Sequence, residues 1–375
     1  MLLLPGPTDI PDESYRSMTR RLINHRSKEF RDFHEGLLKK VREVLGTRSD
    51  VFVLTCSGTG GVEAAVANVI DRDDRVLVFR NGQFAERVGI AAEYYSDNVI
   101  YRDMPWGTAP TSSFVKEALD EVGDVDVAVL VHNETSTGAL TTELGRIARV
   151  CKESGAFLIL DAITSIGGVD FRFDNLDVSV VVTATQKCLA GPPGLSVIGV
   201  KDYVWEKILR KKKRPYYFDL ITHRDFMTKL ETPFTPAIPL FYSLDASLSQ
   251  VLNLGIDRWV DRHRKGANAF YESVYRMGLE VLPPPEFRSP TLIAVKMPDG
   301  IVDHDVADYM AKKFDVHVGV GVSRTKGKLI RIGNMGLVTP DRVREAIIAL
   351  SESLRHLGYN SPRFDVDELT GRNFK

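Results

Sequence analysis

A lysine that performs covalent chemistry must be kept from behaving as a free surface cation, and Lys187 stands where that is possible. It lies within Thr185-Gln186-Lys187-Cys188, just past the apolar run 178–184 and ahead of Gly191-Pro192-Pro193-Gly194. In a desolvated, cationic pocket its amine loses a proton and becomes a nucleophile able to form a Schiff base with a carbonyl. A lysine that snorkels to the surface is the plain alternative. Asp161 ends a second apolar run, 157–160. A carboxylate there carries a desolvation cost unless it finds a partner, and a protonated ring nitrogen would serve, as would a helix cap or an ion pair.

Three other apolar runs end in residues with chemistry of their own. After 51–54 comes Thr55-Cys56-Ser57-Gly58-Thr59-Gly60-Gly61, which opens a helical stretch. Small residues let a ligand approach the backbone, free N–H groups at a helix start favour an anion, and Ser57 and Thr59 add hydroxyls. The same residues also suit a tight, capped strand-to-helix turn. After 75–79 comes Asn81-Gly82-Gln83-Phe84, whose aromatic can stack on a planar ring or fill core. After 125–131 comes His132-Asn133-Glu134-Thr135-Ser136-Thr137-Gly138, a polar cluster that needs partners from a ligand or from itself. Taken in order, these are an anion cradle, a ring stacker, a polar loop, a carboxylate and a lysine. That set matches a cofactor with a phosphate, a protonated ring and a carbonyl.

The elements that position these residues follow from periodicity. Near-continuous apolar runs indicate strands buried on both faces, and helical stretches between them, such as 60–70 and 142–154, make βαβ units. The expected fold is α/β, with a large, mostly parallel sheet. In such sheets ligands sit beyond the carboxyl ends of the strands. Pro233, Pro236 and Pro239 interrupt the chain before a long helical stretch at 242–277, and Pro283-Pro284-Pro285 follows it. Strands near 291–297, 316–322 and 329–332, with helices at 303–314 and 340–357, read as a smaller C-terminal α+β domain. The expected division is an N-terminal arm, 1–20, a large domain, 21–250, and a small domain, 251–375.

Composition narrows the class. The chain of 375 residues suits about two domains, and 43% hydrophobic with 26% charged residues is ordinary for a globular protein. A net charge of -1 gives no basic excess for nucleic acid. Three cysteines without CxxC spacing fit neither a disulfide framework nor a zinc site, and Cys56 and Cys188 read as packing thiols. The start, Met1-Leu2-Leu3-Leu4-Pro5-Gly6-Pro7, lacks a basic n-region, and no apolar run approaches the roughly 18 residues of a membrane span, so a cytoplasmic location is expected. The basic run 210–214 is expected as a solvated loop, and His25 as structural.

These motifs together resemble the class V aminotransferases, of the serine–pyruvate and alanine–glyoxylate branch, over nearly the whole chain. Ser57-Gly58-Thr59 resembles the family's phosphate turn, and Asn81-Gly82-Gln83-Phe84 its ring-stacking turn, with Phe84 where tryptophan is usual. Glu134-Thr135-Ser136-Thr137-Gly138 is similar to its polar loop, with Ser136 as the cofactor contact. Leu160-Asp161-Ala162-Ile163 resembles the segment carrying the pyridinium aspartate, and Thr185-Gln186-Lys187 the Schiff-base lysine. The resemblance implies a fold type I pyridoxal-phosphate enzyme, an α/β fold whose large domain has a mostly parallel, seven-stranded-type sheet and whose smaller C-terminal domain is α+β. It implies cofactor contacts from Ser57, Gly58, Thr59, Phe84, Ser136, Asp161, Ile163, Gln186 and Lys187, and from Thr235 of a neighbouring subunit, hence a homodimer with shared sites. Thr232 stands where the family commonly has an aromatic. Arg331, in Ile330-Arg331-Ile332-Gly333, matches the arginine that clamps the substrate carboxylate, a task its planar fork suits, and Gly6 the segment beside the substrate.

The implied reaction moves an amino group from serine or alanine to pyruvate or glyoxylate by a ping-pong mechanism. Other donors such as aspartate, and lyase chemistry, stay open. A cysteine desulfurase would need a nucleophilic cysteine late in the chain, and none follows Cys188. A dinucleotide site is disfavoured because Glu63 replaces the third glycine of Gly58-Thr59-Gly60-Gly61-Val62-Glu63.

Overall fold

A computed structural model of the chain describes residues 1–375. Its strands, numbered along the chain, are β1 Leu2–Leu3, β2 Asp50–Leu54, β3 Arg75–Arg80, β4 Asn98–Asp103, β5 Val127–Val131, β6 Asn133–Glu134, β7 Ala139–Leu140, β8 Phe157–Asp161, β9 Val180–Ala184, β10 Ser196–Val200, β11 Leu292–Lys296, β12 His317–Val320 and β13 Leu329–Gly333. Seven form one sheet in the order β2-β10-β9-β8-β5-β3-β4. Its neighbours are parallel except around β10, which runs antiparallel to β2 and β9.

Both faces of this sheet are covered, which is why its strands read as continuous apolar runs. Side chains alternate between faces: Val51 and Val53 of β2 join one core, Phe52 and Leu54 the other. The helix Gly58–Val69 lies close on the sheet. A Cβ at Gly61 would come within 2.7 Å of Ser196 Oγ on β10 and 3.0 Å of Val182 Cγ1 on β9, so glycine sets that approach.

The second sheet has the order β1-β12-β13-β11, with β1 parallel to β12 and the other pairs antiparallel. Its own apolar core includes Leu3, Phe270, Ile293, Ile332 and Ile347. The start of the chain is therefore an edge strand of this sheet. Asp9 holds it there, accepting from Leu2 N at 2.9 Å and pairing with Arg342 at 2.5 Å.

Three expectations about elements need correction. The stretch 242–277 is two helices, Ile238–Leu254 and Ile256–Arg276, parted at Gly255, whose φ of +89° no helix accommodates. The first begins earlier than expected because Pro239 sits in its first turn, where a missing N–H costs nothing. Strands β4 and β10 were not anticipated: β4 is a half-exposed edge without an apolar run, and β10 follows directly on the Gly-Pro-Pro-Gly turn. The basic run 210–214 is also not wholly solvated. Lys211 is buried with its Nζ on the Ile70 carbonyl, and Arg214 pairs with Asp219 at 2.9 Å.

Strand order reverses between β3 and β5, because the chain runs outward to β4 before returning. Ligands bind at such a switch, beyond the strand carboxyl ends. The exits of β2, β3, β5, β8 and β9 all lie at the same end of the sheet.

Candidate active site

At the exit of β2, Ser57 caps the helix Gly58–Val69, its Oγ accepting from Gly60 N at 3.3 Å. The N–H groups of Gly58 and Thr59 have no acceptor within the chain, which leaves two donors and the positive end of a helix dipole facing one spot. No acidic residue stands in that first turn to compete with an anion. A Cβ at Gly58 would come within 2.8 Å of Ile163 Cδ1 and 3.0 Å of Ala184 Cβ, so the glycine brings the turn onto Ile163 and β9.

A cavity of about 140 Å³ opens there, lined by Ser57, Gly58, Thr59, Phe84, Asp161, Ile163, Gln186 and Lys187, all expected site residues. Val62, Arg87, Val88 and Ala91 complete its wall and were not anticipated. Their signal was helical spacing: Val62 lies three residues after Thr59, and Arg87 and Val88 three and four after Phe84. The Arg87 guanidinium stands over the Phe84 ring, 5.1 Å from its centroid.

Asp161 closes β8 and is 6% exposed. Ile163 N donates to its Oδ1 at 2.9 Å, and Oδ2 has no partner in the chain. Burial pushes this carboxyl up to about 7; the Ile163 hydrogen bond opposes the rise and the nearby Glu134 adds to it. An acid so placed accepts a cationic N–H partner readily. Across the cavity, burial pushes the Lys187 amine down to about 8, against the pull of Cys188 and Asp161. About a tenth is then neutral and nucleophilic at pH 7, far more than for an ordinary lysine. Beside it, Gln186 Oε1 is buried without a partner, an orphan acceptor that a bound molecule would satisfy.

The turn behind Lys187 is rigid. Thr185 Oγ1 donates to the Pro192 carbonyl, Gly191 N donates to Thr185 O at 2.8 Å, and buried Trp259 donates from Nε1 to Cys188 O at 2.9 Å. Cys188 is fully buried and its thiol is pushed up to about 12, which suits a packing role.

Four expected residues lie off the cavity lining. Gly6, with φ +110°, packs against Lys187 so closely that a Cβ would collide with Nζ, and Lys187 Nζ donates to the Pro5 carbonyl. Ser136 is fully buried; its Oγ accepts from Gln83 N at 3.0 Å and donates to Glu134 at 2.5 Å. Arg331 is on β13 between Ala294 and Gly319, small neighbours that leave it room. It donates from Nε to Val320 O at 2.9 Å and from Nη1 to Thr135 O at 3.1 Å, and Nη2 has no acceptor in the chain. Burial lowers Arg331 to about 10, with Glu134 and Asp303 opposing. Thr235 is exposed, two residues before Ala237, whose N–H donates to Thr55 Oγ1 at 3.1 Å.

The arrangement can hold a planar ring carrying an anionic group at one end and a basic nitrogen at the other, with an amine beside it. The donors, the orphan acceptors and the buried carboxyl fit pyridoxal phosphate. Comparison with known proteins agrees. The family model described as aminotransferase class-V matches residues 12–337, and the chain belongs to that family. An uncharacterized aminotransferase of Methanocaldococcus jannaschii is 35% identical, covering 98% of this chain and 96% of its own. A serine–glyoxylate aminotransferase of Methylorubrum extorquens is 31% identical over 89% of this chain and 86% of its own. The crystal structure of pyridoxamine-pyruvate aminotransferase from Mesorhizobium loti superposes with a TM-score of 0.94 at 27% identity, covering 100% of this chain and 96% of that one. The fold is thus that of the fold type I aminotransferases.

Proposed function

We propose that the protein transfers an amino group from serine or alanine to pyruvate or glyoxylate, with pyridoxal 5'-phosphate as cofactor and two half-reactions at one site. The observation that carries it is the single small cavity that joins the Lys187 amine, the Asp161 carboxyl and the unpaired N–H groups of residues 58 and 59. The names of the similar aminotransferases support small donors and 2-oxo acid acceptors.

When bound, the cofactor supplies an aldehyde that exchanges amino groups and a ring that takes up electrons. Ser57, Thr59 and the N–H groups of Gly58 and Thr59 bind its phosphate, with Ser136, Gln186 and the partner subunit's Thr235 in support. Phe84 and Ile163 contact the ring. Asp161 holds a proton at the ring nitrogen. Lys187 is the covalent anchor and, once released, its neutral amine moves the α-proton of the substrate as general base. The free Nη2 of Arg331 and the Gly6 backbone receive the substrate carboxylate. The burial that lowers Lys187 therefore serves both of its tasks.

A half-reaction screen tests this. Purified protein given cofactor should turn yellow, and serine or alanine should bleach that band. Borohydride should fix cofactor to Lys187 in the parent and leave none on Lys187→Ala, which should also lose transamination by at least about 1,000-fold. A parent that gains no band, or a fully active Lys187→Ala, would end the proposal.

A second reading, an acidic donor such as aspartate, has one observation in its favour. Arg87 lines the cavity and has no ion-pair or hydrogen-bond partner in the chain, so its guanidinium is free for a side-chain carboxylate. Faster bleaching by aspartate than by serine or alanine would select it.

A further inference from the structure

We propose that Glu134 is a positioning residue that couples the ring-facing Phe84 to the substrate-side Arg331. This rests on the transaminase reading above. The helix Gln83–Glu93 starts at Gly82, which has no side chain to cap it. Its first N–H groups are satisfied from across the switch point instead. Gln83 N donates to Ser136 Oγ at 3.0 Å, Phe84 N to Glu134 Oε1 at 3.3 Å, and Ala85 N to Glu134 Oε2 at 3.0 Å. Glu134 also accepts from Ser136 N at 2.9 Å and Ser136 Oγ at 2.5 Å.

A neutral cap would be enough to start a helix. A carboxylate with no exposed surface is costly there unless every bond it makes is kept, and it fixes geometry for the same reason. Between the two capping side chains, Thr135 O accepts from Arg331 Nη1 at 3.1 Å. One three-residue turn therefore sets the start of the Phe84 helix with its side chains and the Arg331 fork with its backbone. Helix start and turn are in direct contact: a Cβ on Gly82 would collide with Glu134 Cγ and approach Ser136 Oγ to 2.6 Å.

The test uses cofactor-loaded Glu134→Gln and Gly82→Ala. The first replaces one acceptor oxygen with an NH2 that faces a donor. The second pushes the turn without altering any group at either site. Both should raise the cofactor Kd and the amino-donor KM together, each by about tenfold or more per folded site, as expected for losing a charge-assisted hydrogen bond. The circular dichroism of the bound cofactor should change as well. Combining Glu134→Gln with Phe84→Leu should be non-additive in cofactor Kd. If Glu134→Gln does not fold, Gly82→Ala decides on the same readings. Melting temperatures that fall while Kd and KM stay within about twofold of the parent would mean a cap for stability only and overturn the proposal. A parent with no yellow band would instead overturn the transaminase reading beneath it.

Discussion

Asp161 and Lys187 are ionisable groups held against their ordinary preferences, and the fold bears the cost. The folded-state value of Asp161, about 7, stands above its ordinary 3.8 because burial disfavours the charge. The cofactor-free protein is therefore favoured at low pH, and that advantage is lost progressively as pH rises from about 4 to about 7. A shift of this size corresponds to roughly 4 kcal/mol. Cofactor-free Asp161→Asn should be more stable than the parent by roughly 2–4 kcal/mol at pH 8, and the difference should vanish toward pH 4. Urea denaturation at the two pH values measures it. On the proposed role of Asp161 as partner of the ring nitrogen, the same variant should bind cofactor at least about tenfold more weakly. Equal stability at both pH values would show that burial does not strain this carboxyl.

Helices and strands convert that chemistry into position. Gly58 and Gly61 look in sequence like a ligand-facing glycine turn, yet a Cβ at either would strike Ile163, Ala184 or Ser196. They serve the packing of the helix on the sheet, and the ligand-facing groups are the free N–H donors that this packing aims. Gly61→Val should therefore lose roughly 1–3 kcal/mol of stability by overpacking against β10, read as a lower melting temperature of the cofactor-free protein. An unchanged melting temperature would mean that β10 yields at no cost. The helix carrying Phe84 is likewise started from another strand's exit, by Glu134 and Ser136.

The molecule as a whole joins two sheets across one cleft. Arg331 belongs to the second sheet but bonds to Thr135, in the turn that follows β5 of the first, and the chain after β1 brings Pro5 and Gly6 from the second sheet onto Lys187. Thr235 stays exposed in the single chain. Its segment is nonetheless held in place: Arg26 donates to Thr232 O and to Pro233 O at 3.1 Å, and pairs with Glu231 at 2.8 Å. In the proposed dimer each site takes Lys187 from one subunit and Thr235 from its partner. Co-expressed Lys187→Ala and Thr235→Ala chains should then form hybrids with one intact site, regaining activity at limiting cofactor that neither variant shows alone. A mixture no more active than the sum of its homodimers would rule out sharing.

The strand exits and their residue types were legible in the chain because a doubly covered sheet writes itself as apolar runs, and whatever ends such a run must be capped or bound. That logic located Ser57, Phe84, Asp161 and Lys187, the family resemblance added Ile163 and Gln186, and one cavity joins all of them. Periodicity could not show β4, whose half-exposed edge has no apolar run, nor that β10 runs backwards between β2 and β9. It could not assign Glu134 to the Phe84 helix either, since that depends on which strands become neighbours. Local spacing determines what a residue can do chemically. Which residues, far apart in the chain, share its hydrogen bonds is decided by sheet order, and that is set by long-range packing that no single segment encodes.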